Sequence, residues 1–164
     1  MNQIQSIFFQ NTVVAAQQAQ KEFGVPSSIT IAQATLESGW GQSALARQAN
    51  NYFGIKANAK AQPAEYMEFP TEEFVDGRKV QEVARFERFS SPIASFKAHG
   101  YLLNMALRYR PAMAVKGDPE KFAQALQDCG YSTNPDYAAK LMQIVRQFDL
   151  TQYDVPAAPA KVTS

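Results

Sequence analysis

The stretch from Ser27 to Lys56, SSITIAQATLESGWGQSALARQANNYFGIK, constrains this chain most. Its first eleven residues are mostly small or apolar, and Ile29, Ala32 and Leu36 share one stripe at helical spacing. Glu37 ends this segment off the stripe, on the side of Thr30, Gln33 and Ala34. A glycine-bracketed turn, Ser38-Gly39-Trp40-Gly41, follows, then a short helix capped by Ser43 and ending near Gln48. The acid is thus attached to a packed helix but faces a smaller, partly polar side. A carboxyl there, next to a tryptophan, is a candidate for a raised pKa and for proton donation. On spacing alone a solvated surface glutamate fits as well.

The rest of the chain reads in order around that segment. Ile4 to Phe23 is expected to be a helix, with Ile4, Ile7, Phe8, Ala15, Ala19 and Phe23 near one face. Gly24 stops it and Pro26 follows. Ser27 or Ser28 is expected to cap the helix that carries Glu37. Residues 57–63 are small and polar, a loop. Glu65 to Phe89 reads as a β-hairpin around the Asp76-Gly77 turn, with Pro70 marking an edge strand or an interruption. Three helices should follow, each opened by a proline behind a polar cap: Ser91-Pro92 to about Arg110, Asp118-Pro119 to Gly130, and Asn134-Pro135 to about Phe148. Their expected buried residues are Ile93, Phe96, Leu103 and Leu107, then Phe122, Ala125, Leu126 and Cys129, then Tyr137, Leu141, Ile144, Val145 and Phe148. The sum is about six helices and one hairpin, an α+β pattern in one domain spanning 1–154. The proline- and alanine-rich residues 155–164 read as a flexible tail.

Composition narrows the function classes. A length of 164 residues with 46% hydrophobic and 19% charged side chains suits one soluble domain with a real core. The net charge of +1 gives no field for nucleic acid or anionic lipid. Cys129 is the sole cysteine, so no intrachain disulfide can form, and with one histidine a His/Cys metal site lacks ligands. No cofactor is expected. No stretch approaches the ~20 apolar residues of a membrane span.

Several separate motifs, in one order, carry a resemblance. Leu36-Glu37-Ser38-Gly39-Trp40-Gly41 is followed by Asn51-Tyr52-Phe53-Gly54-Ile55-Lys56, then Thr71-Glu72-Glu73-Phe74-Val75-Asp76-Gly77, then Gly130-Tyr131-Ser132-Thr133-Asn134-Pro135-Asp136-Tyr137-Ala138. Together they resemble family 73 of the glycoside hydrolases, the bacterial peptidoglycan glucosaminidases, including muralytic domains of flagellar rod-cap proteins and phage lysins. The likeness runs from about Phe23 to about Phe148. It implies a lysozyme-like fold, with a helical lobe, a hairpin lobe at about 64–90 and a cleft between them.

The resemblance also implies roles. Glu37 matches the general acid. Glu73 matches the second acid, a base for water, with its neighbour Glu72 as the competing candidate because adjacent strand residues face opposite sides. A route in which the substrate's own acetamido oxygen attacks stays open beside it, and there Tyr131 would orient the acetamido group or the water. Asn51, Tyr52, Phe53 and Gly54 match the segment that lines the cleft. Trp40 reads as packing behind Glu37, and Tyr137 as core. Two positions depart from the pattern: Glu87 stands where Arg is common, and Ala98-His99 replaces a usual Asp-His or Asp-Tyr. His99 reads as a core or surface histidine outside the site.

The implied partner is the peptidoglycan glycan strand, acted on by a monomer in the periplasm or wall. A lytic transglycosylase or muramidase, and a non-catalytic wall-binding or assembly module, are the competing classes. The amino-terminal residues lack the basic start and apolar core of a secretory signal. Delivery by a holin, a flagellar or a contact-dependent route is therefore expected, or membership in a longer protein; an effector would bring an inhibitor or immunity protein as a further partner.

Overall fold

The computed structural model describes residues 1–156, with only the backbone of Glu73 and Phe74. The expected tail at 155–164 therefore falls outside the described residues from position 157 on. The described chain forms seven α-helices and one two-stranded antiparallel sheet. This is the helical body with a β appendage that the pattern called for.

Helix α1 (Gln3–Phe23) starts with a capping box between Asn2 and Gln5 and stops at Gly24 with φ +82. Its buried stripe is Phe8, Phe9, Thr12, Ala15, Ala16 and Ala19. Ile4 and Ile7, expected in that stripe, are about half exposed and instead line a shallow surface hollow beside Trp40 and Tyr52.

Helix α2 (Ser27–Ser38) is the centre of the molecule. It packs against α1, against α6 (Pro119–Asp128) and α7 (Tyr137–Gln147), and against the final turn Leu150–Tyr153. Every residue from Ser27 to Thr35 is buried, so the helix is wrapped rather than amphipathic, and its alanines, serines and threonines let its neighbours approach closely. Leu36, expected on the buried stripe, is instead exposed. The expected cap also differs. Neither Ser27 nor Ser28 caps its own helix; the carboxylate of Asp154 accepts from the Ser28 N–H at 2.7 Å and from its hydroxyl at 2.8 Å. An anion from the far end of the chain thus sits at the positive end of the helix dipole. Val155 is held as well, by Gln20.

The turn after α2 strings together three left-handed residues, Gly39, Trp40 and Gly41, at φ +54, +60 and +72. Trp40 accepts this strained conformation because its ring is wedged edge-on against Phe8, Phe9 and Phe148, at 5.5, 5.7 and 5.1 Å between centroids. At Gly41 a Cβ would stand 3.3 Å from the Tyr52 ring. Ser43 caps α3 (Ala44–Ala49) as expected, at 3.1 Å.

Strands β1 (Tyr66–Val75) and β2 (Arg78–Glu87) pair through the Asp76-Gly77 turn, both of whose residues have positive φ. The hairpin is fastened at its base. Lys56 bridges Phe86, the Ala57 N–H reaches the Arg85 carbonyl at 2.9 Å, and the Glu87 N–H reaches the Ile55 carbonyl at 2.9 Å. Its distal residues, Val75 to Val83, are exposed.

Ser91 and Asp118 cap α4 (Pro92–Met105) and α6 as expected. Helix α4 ends at Met105, not near Arg110: Ala106 turns extended, and a 3-10 turn leads into the short α5 (Arg110–Ala114). Leu107 therefore leaves the buried face and is 68% exposed. Helix α7 begins at Tyr137 rather than at Pro135, because Asn134 folds an Asx turn onto the Asp136 N–H at 2.9 Å.

Candidate active site

Glu37 occupies the last turn of α2, where that otherwise enclosed helix meets the surface. Its side chain opens to solvent on one side, yet enough protein surrounds the carboxyl that burial raises its pKa above the usual carboxylate value. A carboxyl of this kind keeps its proton to higher pH, the property a general acid needs.

Gln33 lies one helical turn behind Glu37, on the same face. It is fully buried and donates from Nε2 to the Tyr137 hydroxyl at 3.0 Å. The Tyr137 ring stacks on Tyr131, with centroids 5.5 Å apart and planes within 19°. Both phenols have raised pKa values, from burial first and from the nearby Glu37 charge among the smaller causes. The structure therefore brings Glu37, Tyr131 and Tyr137 into one neighbourhood and keeps both phenols protonated at neutral pH. Tyr137 is core, as its helical spacing suggests, but core that touches the site.

Tyr131 is aimed by its local chain. Gly130, at φ +75, ends the α6 segment; the Gly130 carbonyl accepts from Arg108 at 2.6 Å, and the Tyr131 N–H bonds the Leu126 carbonyl at 3.0 Å. The Tyr131 hydroxyl lies 3.3 Å from Nε2 of His99. His99 is buried, its ring stacked on Phe53 at 4.0 Å, and burial pushes its pKa down to about 3. The sequence left His99 outside the site; the one signal for it, a histidine on α4 in a helix otherwise short of polar core residues, has an ordinary packing explanation.

The segment Asn51–Gly54 divides. The buried Asn51 amide is fully engaged with backbone: Nδ2 donates to the Ile55 and Glu87 carbonyls at 2.9 Å each, and Oδ1 accepts from the Ile55 N–H at 3.0 Å. Asn51 thus ties the loop to the base of β2. Phe53 is buried against Phe96 and His99. Tyr52 is half-buried between Phe8 and Phe96, and Gly54 is exposed with φ +65. Glu73 stands opposite Val80 in the hairpin register, and its side chain lies outside the described residues. Glu72 pairs with Lys79 at 3.2 Å, both well exposed.

Other features lie apart from this neighbourhood. A cavity of about 690 Å³ sits at the amino end of α2, lined by Gln20, Lys116 and Asp154, at the opposite end of the helix from Glu37. Among the described residues no three His, Cys, Asp or Glu side chains group as metal ligands, and no helix is long and apolar enough to cross a membrane.

Comparison with known proteins adds the family. A family model described as mannosyl-glycoprotein endo-beta-N-acetylglucosaminidase, the Glucosaminidase family, matches residues 13–150. Exo-glucosaminidase LytG of Bacillus subtilis is 37% identical over 155 residues, which are 92% of this chain and 54% of LytG. Peptidoglycan hydrolase FlgJ of Pseudomonas aeruginosa is 37% identical over 149 residues, 88% of this chain and 37% of FlgJ. The chain thus spans about half the length of one and little more than a third of the other. The crystal structure of the catalytic domain of the autolysin Auto from Listeria monocytogenes superposes with a TM-score of 0.82 at 27% identity, covering 94% of this chain and 89% of that one. The order of motifs around Glu37, the helical body with its hairpin lobe and these matches agree: the chain belongs to the Glucosaminidase family, with the lysozyme-like fold expected of it.

Proposed function

We propose that this chain is a peptidoglycan hydrolase that cuts the β-1,4 bond after N-acetylglucosamine, with Glu37 as the proton donor to the leaving oxygen. The observation that carries the reading is the setting of Glu37: a carboxyl at the solvent-facing end of a buried helix, its pKa raised by the protein around it, beside Tyr131 and Tyr137. The names of the relatives, an exo-glucosaminidase and a peptidoglycan hydrolase, support the substrate class. The substrate lies in the periplasm or wall.

Bond cleavage needs a proton on the leaving oxygen and a partner for the oxocarbenium-like carbon. Glu37 supplies the first. Glu73 supplies the second as the base for an attacking water, brought over the groove by the hairpin, which is fastened at its base and exposed beyond it. Tyr131 orients the sugar's acetamido group or the water. Tyr52 and Gly54, the accessible residues of a loop that Asn51 and Phe53 hold from within, form the side that receives the glycan strand.

Glu37→Gln is the direct test. Purified sacculi should stay turbid with the folded variant and clear with wild type, a loss of about 10²–10⁴ in rate for a missing proton donor. Reducing-end analysis of the wild-type digest should give N-acetylglucosamine ends. Anhydromuramic ends would identify a transglycosylase instead, and no new ends at all would identify a binding module.

A further inference from the structure

We propose that His99 is a positioning residue that fixes the direction of the Tyr131 hydroxyl, accepting nothing from it and donating Nε2–H to it, so that the phenol O–H points into the groove beside Glu37. The role in catalysis rests on the glycosidase reading above.

Three observations lead there. The His99 ring is locked: it is buried, lies flat on Phe53 at 4.0 Å with planes within 16°, and meets the Tyr131 ring edge-on at 6.1 Å. One ring nitrogen, Nε2, is 3.3 Å from the Tyr131 hydroxyl. The other, Nδ1, is buried and has no hydrogen-bond partner among the described residues. A neutral imidazole carries a single N–H. Were it on Nδ1, a buried donor would be orphaned, which folded proteins almost never tolerate; a bare lone pair is the lesser fault. The proton therefore belongs on Nε2, and Nε2 is the donor.

The consequence falls on Tyr131. Its oxygen accepts from His99, so its own proton is free for a different partner. That phenol is partly exposed, protonated, and close enough to Glu37 to feel its charge. It offers the groove a hydrogen-bond donor, matched to an oxygen that can only accept, as the carbonyl of a sugar acetamido group does. With the other tautomer, the phenol would spend its proton on His99 and offer the substrate lone pairs alone.

The chain has one histidine, so its ring nitrogens can be read without ambiguity. In ¹⁵N-labelled wild type between pH 5 and 8, the Nε2 signal should show a bound proton and Nδ1 a bare lone pair. An Nδ1–H tautomer, or an imidazolium that titrates in this range, overturns the proposal. Kinetics on soluble glycan strands tests the positioning. His99→Phe keeps the stack on Phe53 and removes the donor, and should lower kcat about tenfold, the scale of one hydrogen bond, with KM little changed. His99→Gln, whose amide N–H reaches about as far as Nε2, should recover most of that loss, and the shorter His99→Asn should not. In a Tyr131→Phe background His99→Phe should cost nothing further. Losses that simply multiply, or equal activity of the Gln and Asn variants, overturn the proposal; the Gln and Asn pair decides it even where the Phe variant does not fold. A wild-type chain that releases no ends from sacculi refutes the glycosidase reading and the positioning role together, while the NMR result stands on its own.

Discussion

Asp154→Ala should destabilise the protein through a helix 126 residues away in sequence, since Asp154 caps Ser28. The carboxylate accepts from the Ser28 N–H at 2.7 Å and hydroxyl at 2.8 Å, and Ser28 is fully buried. Loss of an N-cap costs about 1 kcal/mol. That loss is the Ser28 N–H and hydroxyl left buried and unpaired, about 1–3 kcal/mol by the cost of an unsatisfied group. Against these stands the carboxylate's own burial, which outweighs the Ser28 bonds and raises its pKa. The net is about 2 kcal/mol, or about 4–8 °C in Tm for a chain of this size. Asp154→Asn keeps an acceptor for the Ser28 N–H and drops the charge, so it should lie within about 0.5 kcal/mol of wild type at pH 7. The pH dependence has a fixed sign. A carboxyl with a raised folded pKa binds its proton more tightly folded than unfolded, so its contribution falls as pH rises from 3.8 through the raised value. The Asn variant should therefore gain on wild type across that window. Urea melts followed by circular dichroism at pH 3.5 and 7 would measure both. An Ala variant within about 0.5 kcal/mol of wild type would refute the cap as an energetic element.

The same sign rule applies to Glu37: Glu37→Gln should melt no lower than wild type, and its advantage should grow as pH rises through the carboxylate range, read by thermal melts across pH 4–7. Wall hydrolysis should be indifferent to dithiothreitol, since Cys129 is the only cysteine; inactivation would reveal a thiol role in turbidity assays. If Glu73 is the base, Glu73→Gln should lose orders of magnitude in turnover, with partial rescue of Glu73→Ala by azide or formate, and early proton NMR should show an α-anomer product. A β-anomer would rule out single-displacement inversion and shift the weight to the acetamido route, where Tyr131→Phe should cost more than Glu73→Gln.

What could be read from the sequence was what short range decides. The Asp-Gly turn, the caps at Ser43, Ser91 and Asp118, and the stop at Gly24 each depend on neighbours within four residues, and each is where the pattern put it. The place of Glu37 at the end of its helix was legible because the helix and its turn are contiguous. The Asp154 cap was not, because any anion near the Ser28 N–H would serve and sequence does not say which one arrives. The pairing of His99 with Tyr131 was hidden for the same reason: two residues 32 apart meet only once α4 and the end of α6 have docked. The break at Met105 and the exposure of Ile4, Ile7 and Leu107 show the other limit, since helical spacing names a face but not how far the covering elements extend over it.

Pro70 has a consequence for how copies of this protein meet one another. Arg85 and Glu87 turn their backbone groups toward the Ile55–Ala57 segment, away from β1. By alternation along an antiparallel pair, the register partners of that set, Tyr66, Glu68 and Pro70, turn theirs to the open side of β1. Proline deletes a donor there, on the bare edge, and leaves the ladder to β2 complete. Glu68 and Glu72 on the same strand pair with Arg85 and Lys79 across the hairpin. A strand from a second molecule would find a missing hydrogen bond where it tried to dock. An exposed two-stranded arm is an open invitation to fibre-like growth, and on this edge a single ring interrupts the row of donors at a position where doing so costs the hairpin nothing.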